Sequence, residues 1–207
     1  MLFRFFGLIL SLLSFLFTLS ACAPAPPTDA HNICHIYEQY PKWYWATEDA
    51  YHKWGIPEYV EMAVIYQESS YNAYAKPPRR HILWIIPWKR ISTAKGYSQA
   101  LNGTWDHYEK MTHHDASRTN FDDASDFIGW YAYLADRVDG ISKYDTYDLY
   151  LAYHEGLGGY AHRSYISKPW LMTVARRVSA NAATYHYQLA RCEGRLPQRK
   201  SWWHFWK

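Results

Sequence analysis

Pro57-Glu58-Tyr59-Val60-Glu61-Met62-Ala63-Val64-Ile65-Tyr66-Gln67-Glu68-Ser69 is the stretch whose reading decides the fold class of this 207-residue chain. Val60, Val64 and Glu68 recur at four-residue steps, which stacks them on one face of an α-helix. Pro57 suits the first turn of that helix, where its missing N–H is not needed. Glu68 therefore falls on an apolar face close to the helix C-terminus. Desolvation and the negative end of the helix macrodipole both disfavour a carboxylate there, so the sequence predicts a raised pKa. A glutamate at a helix end is more often a solvated surface residue, and this feature alone assigns no chemistry.

Helical signals continue on both sides. Thr47 can cap a preceding helix with Glu48 and Asp49 in its first turn, stopped by Gly55 and Ile56-Pro57. Asn120 opens another, with Asp122 and Asp123 in the first turn, an apolar face through Ala124, Phe127, Ile128, Tyr131, Leu134 and Val138, and Gly140 as the stop. A helix from about Asp145 to His154 ends at Gly156-Leu157-Gly158-Gly159. The longest follows Pro169, where Leu171, Val174, Val178, Ala182, Tyr185, Leu189 and Cys192 recur every three or four residues. No comparable stretch alternates with period two, so the domain is expected to be all-α or mostly α. Residues 76–90 differ: Pro77-Pro78, Arg79-Arg80 and the apolar run Ile82-Leu83-Trp84-Ile85-Ile86 before Pro87 read as a strand pair or as a loop packed over a cleft.

The chain ends carry other signals. One cation, Arg4, precedes the apolar residues 5–19, which end in Ser20 and Ala21, as a secretion signal does over residues 1–21. The run is short for a stable membrane span, and Pro24, Pro26 and Pro27 cannot extend its helix. Residues 22–32 read as a Pro-rich tether that lets a domain over residues 33–192 stand off a membrane. Without Arg4 the chain has 21 Lys+Arg against 19 Asp+Glu, a net +2, which is no nucleic-acid signature. Three Cys are present, and if Cys22 carries lipid the remaining pair, Cys34 and Cys192, is free to form one disulfide in an oxidising compartment, the alternative being two separate buried thiols; the place of Cys192 on the apolar seam favours the disulfide. Residues 193–207 mix cations with Trp202, Trp203, Phe205 and Trp206, either an interface-seeking tail or one that packs nowhere.

Further constellations are weaker. His113-His114-Asp115 reads as a solvated loop rather than a metal site, because adjacent side chains point apart and no third ligand has the right spacing. Asp122, Asp123 and Asp126 are explained by helix-start electrostatics. No phosphate-binding glycine loop and no Gly-x-Ser-x-Gly elbow occurs. Aromatic residues make up 19% of the chain, and Tyr and Trp suit surfaces that receive sugar rings as well as they suit a core.

Three blocks carry a resemblance. Glu68-Ser69-Ser70-Tyr71-Asn72-Ala73-Tyr74-Ala75 resembles the glutamate motif of the lytic transglycosylase (SLT) family, which is related in fold to goose-type lysozymes. Gly96-Tyr97-Ser98-Gln99-Ala100-Leu101 with Thr104 is similar to its Gly-Leu-Met-Gln block and following Thr. Ala152-Tyr153-His154-Glu155-Gly156-Leu157-Gly158 is similar to its Ala-Tyr-Asn-Ala-Gly block. The order is the family's, and the resemblance spans roughly residues 43 to 187. Leu19-Ser20-Ala21-Cys22 resembles a bacterial lipobox, which implies lipidation of Cys22. Ala23 after it is similar to lipoproteins sent to the periplasmic face of the outer membrane.

The resemblance implies a lysozyme-like single domain whose groove binds peptidoglycan glycan strands of alternating N-acetylglucosamine and N-acetylmuramic acid, with no cofactor and no named protein partner. It implies Glu68 as acid and then base, giving a 1,6-anhydro sugar without consuming water. Ser69 would support the Glu68 carboxylate, Gln99 would contact sugar and the Tyr153 hydroxyl would orient Glu68, with Tyr97, Ser98, Thr104, His154, Glu155 and Gly156 also lining the substrate. Departures are visible. Glu68 and Gly96 are 28 positions apart, so residues 76–90 read as an insertion that reshapes one groove wall. Tyr97 and Ser98 stand for Leu and Met, and His154 and Glu155 for Asn and Ala. Glu155 either pairs locally, the preferred reading, or serves as a second carboxylate that activates water, as in a hydrolytic muramidase. A lipoprotein that binds the cell wall without cleaving it is the remaining alternative.

Overall fold

Asn32 caps the first helix of the described residues: its side chain accepts from the Cys34 and His35 N–H groups and starts α1 (Ile33–Gln39). The computed structural model describes residues 23–82, 86–90 and 92–199. The expected signal segment, Cys22 and residues 200–207 lie outside the described residues. After α1 come α2 (Pro41–Trp54) and α3 (Glu58–Ser69), then an antiparallel pair, β1 (Arg79–Ile82) and β2 (Ile86–Arg90). The chain continues through α4 (Asn102–Thr112), α5 (Phe121–Asp139), α6 (Thr146–Glu155), the short α7 (Leu157–Ala161), a 3-10 turn (Ser164–Ser167), α8 (Pro169–Cys192) and a second 3-10 turn (Glu193–Arg195). No helix among the described residues is long and apolar enough to cross a membrane.

Local chemistry explains most boundaries. Asn120 accepts from the Asp122 and Asp123 N–H groups at the start of α5, and Gly140 ends it in the left-handed conformation. Gly55 does the same for α2 at φ 79°. That helix, however, starts at Pro41, not at Thr47. Thr47 is buried inside it, its hydroxyl donating to Tyr44 O (2.9 Å) and pairing with the Tyr37 hydroxyl (2.9 Å), so it is a core hydroxyl and no cap. Val138, expected on the buried face of α5, is 63% exposed in the last turn of that helix.

α5 packs chiefly on α2, while α8 packs on both α3 and α6. The centre is aromatic: Trp43 of α2 stacks on Phe121 of α5 at 4.2 Å, with Tyr97 edge-on to both rings. Each such buried side chain contributes about 1.5–3 kcal/mol through area removed from water. Cys34 and Cys192 are joined, tying α1 to the end of α8 across a sequence separation of 158. On the chain-entropy model a loop of that length stabilises by at most about 5 kcal/mol.

Both ends of the described stretch, from Ala23 and up to Arg199, lie along the domain. Pro27 is buried, the Tyr40 hydroxyl donates to Ala25 O (2.8 Å), and Gln39 Oε1 accepts from the Thr28 N–H (3.1 Å). Residues 23–32 thus do not form the stand-off spacer that their prolines suggested, because Tyr40, Gln39 and Tyr185 supply partners for their backbone. At the other end Leu196 is buried, Trp45 Nε1 donates to Pro197 O (2.7 Å), and Arg199 reaches Asp49 (2.7 Å), so the tail packs as far as Arg199. Among the described residues the buried core and the disulfide lie within residues 33–196.

Candidate active site

The end of α3 fixes Glu68. Ser70 donates its N–H to Tyr66 O (2.9 Å), and Ser70 and Tyr71 both take left-handed backbone, φ 50° and 61°. Such conformations cost non-glycine residues about 1–2 kcal/mol each. The turn is held because the Tyr71 side chain is fully buried, its hydroxyl donating to Met62 O (3.0 Å) beside the Tyr185 hydroxyl (3.2 Å). Glu68 is thereby set on the wall of a cleft of about 430 Å³. The other walls come from Thr104 of α4, Phe127 and Tyr131 of α5, the Gln99–Leu101 turn, and Tyr153, His154, Glu155 and Gly156 at the end of α6.

Glu68 keeps part of its surface open to the cleft, while protein crowds the rest of the residue. Burial pushes its carboxyl up to about 7, and the Tyr150 hydroxyl, within hydrogen-bonding reach, pulls the other way. Sequence reasoning missed Tyr150. It lies one turn before Tyr153 on α6, and that three-residue spacing was the available signal. The Tyr153 hydroxyl, assigned to Glu68 on resemblance, donates instead to Ser98 O (2.6 Å) and locks the 96–100 turn to α6. Tyr153 is nonetheless close to Glu68, since its hydroxyl is raised by burial first and by Glu68 second.

Other expected roles also change. Tyr97 is 0% exposed, its ring among Trp43 and Phe121, so it builds the floor beneath the turn and does not meet substrate. Ser98 is equally buried and offers its carbonyl to Tyr153 rather than its hydroxyl to a sugar. The Ser69 hydroxyl donates to Ile65 O (3.1 Å), back-bonding within its helix instead of supporting the carboxylate. Gln99 does line the cleft. Its Nε2 is committed to Ala75 O (3.0 Å) and Gly96 O (2.8 Å), which ties the turn to the segment after α3. Arg118, another residue with no local sequence signal, braces the same turn through Ala100 O (3.3 Å) and Asn102 (2.9 Å).

Glu155 lines the cleft as a tied group. Its side chain is 3% exposed, Lys168 Nζ contacts both oxygens at 2.7 and 3.0 Å, the Ser164 hydroxyl donates to it, and His154 Nδ1 lies 3.2 Å away. Burial alone would raise its pKa, but the Lys168, Ser164 and His154 bonds together outweigh it and hold the carboxylate at about 2. Local pairing is therefore the arrangement observed. His154 itself is at the mouth, edge-on to Trp170 at 5.2 Å.

A larger concavity, about 800 Å³, lies between α2 and the start of α5. Several of its side chains are paired with one another: Lys53 with Asp126 (2.8 Å), Arg199 with Asp49 (2.7 Å), His114 with Asp123 (2.9 Å). In the smaller cleft Glu68 has no ion pair among the described residues and its carboxyl is raised to about 7, which makes it the candidate for acid chemistry.

The family model of the transglycosylase SLT domain matches residues 10–192. The chain belongs to that family. No curated protein and no solved structure matches it. The match contains every wall of the Glu68 cleft, and the mostly helical architecture is that of the lysozyme-like SLT domain. Membership makes this SLT domain an enzyme of transglycosylase type with peptidoglycan as its substrate class.

Proposed function

We propose that this SLT domain is a lytic transglycosylase that cleaves the bond between N-acetylmuramic acid and N-acetylglucosamine and leaves a 1,6-anhydromuramyl end. One observation carries the reading: Glu68 stands at the cleft wall with its carboxyl at about 7 and, among the described residues, no ion pair to a cation. At neutral pH such a group is close to half protonated, the condition under which one residue can both give and take a proton. Protonated Glu68 gives its proton to the glycosidic oxygen as the C1–O bond breaks. The resulting carboxylate takes the proton of the muramyl O6 hydroxyl as the O6–C1 bond forms, and no water enters the balance. Tyr150 acts as a positioning residue for the carboxyl, and Gln99, Thr104, His154 and Gly156 are the positions offered to sugar.

Hydrolysis would need a second carboxylate free to activate water, and the pairing of Glu155 with Lys168 supports the single-acid reading. A desolvated acid also has no use in a module that merely binds glycan. We place the protein, through a lipidated Cys22, on the periplasmic face of the outer membrane. Mass spectrometry of muropeptides released from purified peptidoglycan by residues 23–207, beside Glu68→Gln, tests the enzymatic reading. Anhydro-muramyl products absent from the variant are expected. Products heavier by one water would make the protein a muramidase, and no release by either protein would make it a binding lipoprotein.

A further inference from the structure

Lys168 and Leu171 pin the start of α8. Lys168 Nζ is tied to both oxygens of Glu155 (2.7 and 3.0 Å), the Leu171 N–H donates to Lys168 O (2.8 Å), and the Leu171 side chain is fully buried. Trp170, the second residue of the helix, therefore sits on fixed backbone, yet it is 56% exposed. In a domain with an aromatic core, a tryptophan contributes most to stability when it is buried. Left in solvent on a fixed backbone, its indole is a broad surface, apolar on its faces and polar at one edge, that needs little ordering to bind.

The exposed indole continues the wall of the Glu68 cleft. His154, which lines that cleft, meets Trp170 edge-on with ring centroids 5.2 Å apart, and its Nδ1 lies 3.2 Å from the same Glu155 that Lys168 holds. Contacts of α8 reach the other end of the site as well. Arg177 follows Trp170 by two helical turns, about 10 Å along the axis and on the same face. It donates to Gln67 Oε1 (3.3 Å), next to Glu68 in sequence, and its charge acts on the hydroxyl of Tyr150, the partner of Glu68. The face that carries Trp170, Val174 and Arg177 thus runs from His154 at the cleft mouth to the end of the helix that carries the acid.

The geometry points to Trp170 as a sugar-stacking residue at the mouth of the Glu68 cleft, which receives a pyranose ring of the glycan strand beyond the pair that flanks the cleaved bond. A pyranose presents C–H groups on its face and hydroxyls at its rim, which matches the apolar face and polar edge of an indole. The assignment rests on the reading of the cleft as a glycan site and adds a consequence to it: long strands bind better than short ones, because only a long strand reaches Trp170.

Calorimetric titration of the Glu68→Gln protein tests this without turnover. The probes are a tetrasaccharide and an octasaccharide of alternating N-acetylglucosamine and N-acetylmuramic acid, both free of peptide. The octasaccharide should bind more tightly. Trp170→Ala in the same background should weaken it by about three- to tenfold, as for one aromatic stack, and leave the tetrasaccharide within about twofold. Trp170→Tyr should keep most of the advantage, since it retains a ring on the same backbone. With Glu68 intact, Trp170→Ala should raise KM on long strands and leave kcat near that of the parent. Unchanged octasaccharide binding by Trp170→Ala, an equal loss for both strands, or no preference for the longer strand before the substitution would each overturn the inference. Anhydro-muramyl products are a separate readout: their absence, with the Trp170 effect on binding retained, would sink the enzymatic reading and leave this one standing.

Discussion

Lys168 Nζ sits 2.7 Å from one oxygen of Glu155 and 3.0 Å from the other. A carboxylate held in this way cannot also take a proton from a water beside the sugar, because a general base needs a lone pair free toward its substrate. The contact instead joins the end of α6 to the start of α8 across the 3-10 turn, and it keeps that end of the cleft in shape. A second acidic residue in the third motif block is thus accounted for as a brace.

Lys168→Met should destabilise the domain by about 1–3 kcal/mol, the cost of leaving a desolvated anion without its main partner. The full cost of a broken buried pair is not expected, since Lys168 is 39% exposed and partly screened. Glu155 has a folded-state pKa of about 2, below its unfolded value, so the stability it contributes is present above pH 5 and is lost as pH falls toward 2. Denaturant unfolding of parent and variant should differ at pH 7 and converge near pH 2. Equal stability at pH 7 would mean that the brace contributes nothing.

Glycan cleavage should fall as pH rises through about 7, because the first step consumes protonated Glu68. The Tyr150 hydrogen bond favours the carboxylate. Tyr150→Phe should therefore move the alkaline limb of kcat/KM to higher pH, while the loss of positioning lowers the maximum. A role for Tyr150 in packing alone would lower activity without moving the limb, and a pH series on purified peptidoglycan separates the two.

Helix ends were legible where they are set by neighbours in sequence. Asn120, Gly140 and Gly55 act within a few residues of themselves, and the helix ends they set fall where expected. Thr47 misled because its hydroxyl is consumed by Tyr37 and Tyr44 in the core, which no local pattern announces. α4 buries little beyond Trp105 and Tyr108, too sparse a stripe to read as a helix. Glu68 was legible because its helix face and its distance from the C-terminus are local properties. Its partner Tyr150 was not, since their approach depends on how α3 and α6 lie in the tertiary fold. Tyr97 was misassigned for the same reason: Trp43 and Phe121 decide its burial, and both are distant in sequence.

Gly96→Ala should be among the most damaging single substitutions. A Cβ there would lie 1.9 Å from Arg118 O, and the backbone is left-handed at φ 78°. Overpacking and the backbone penalty together amount to about 2–5 kcal/mol. The 96–100 turn carries Gln99 and the Ser98 carbonyl that holds Tyr153, so cleavage should fall with stability. Thermal unfolding of the variant at the parent's temperature would show that the turn yields more easily than its contacts indicate.

Glu61 offers the sharpest pH test. It lies on α3 two turns before Glu68, is fully buried, and among the described residues neither of its oxygens has a well-formed hydrogen bond, the similarly buried Ser125 hydroxyl being a loose neighbour. Burial pushes its pKa well above the ordinary carboxylate range, so as pH rises past about 4.5 the unfolded chain gives up this proton before the folded protein does. The sign follows: over that interval the folded state binds the extra proton, and each unit of rising pH removes up to about 1.4 kcal/mol of stability. Glu61→Gln keeps the shape and cannot ionise. Urea unfolding from pH 5 to pH 8 should show parent stability falling more steeply than that of the variant, with the variant the more stable at pH 8. Parallel curves would mean that Glu61 is ionised in the folded protein and that its burial is compensated by a partner.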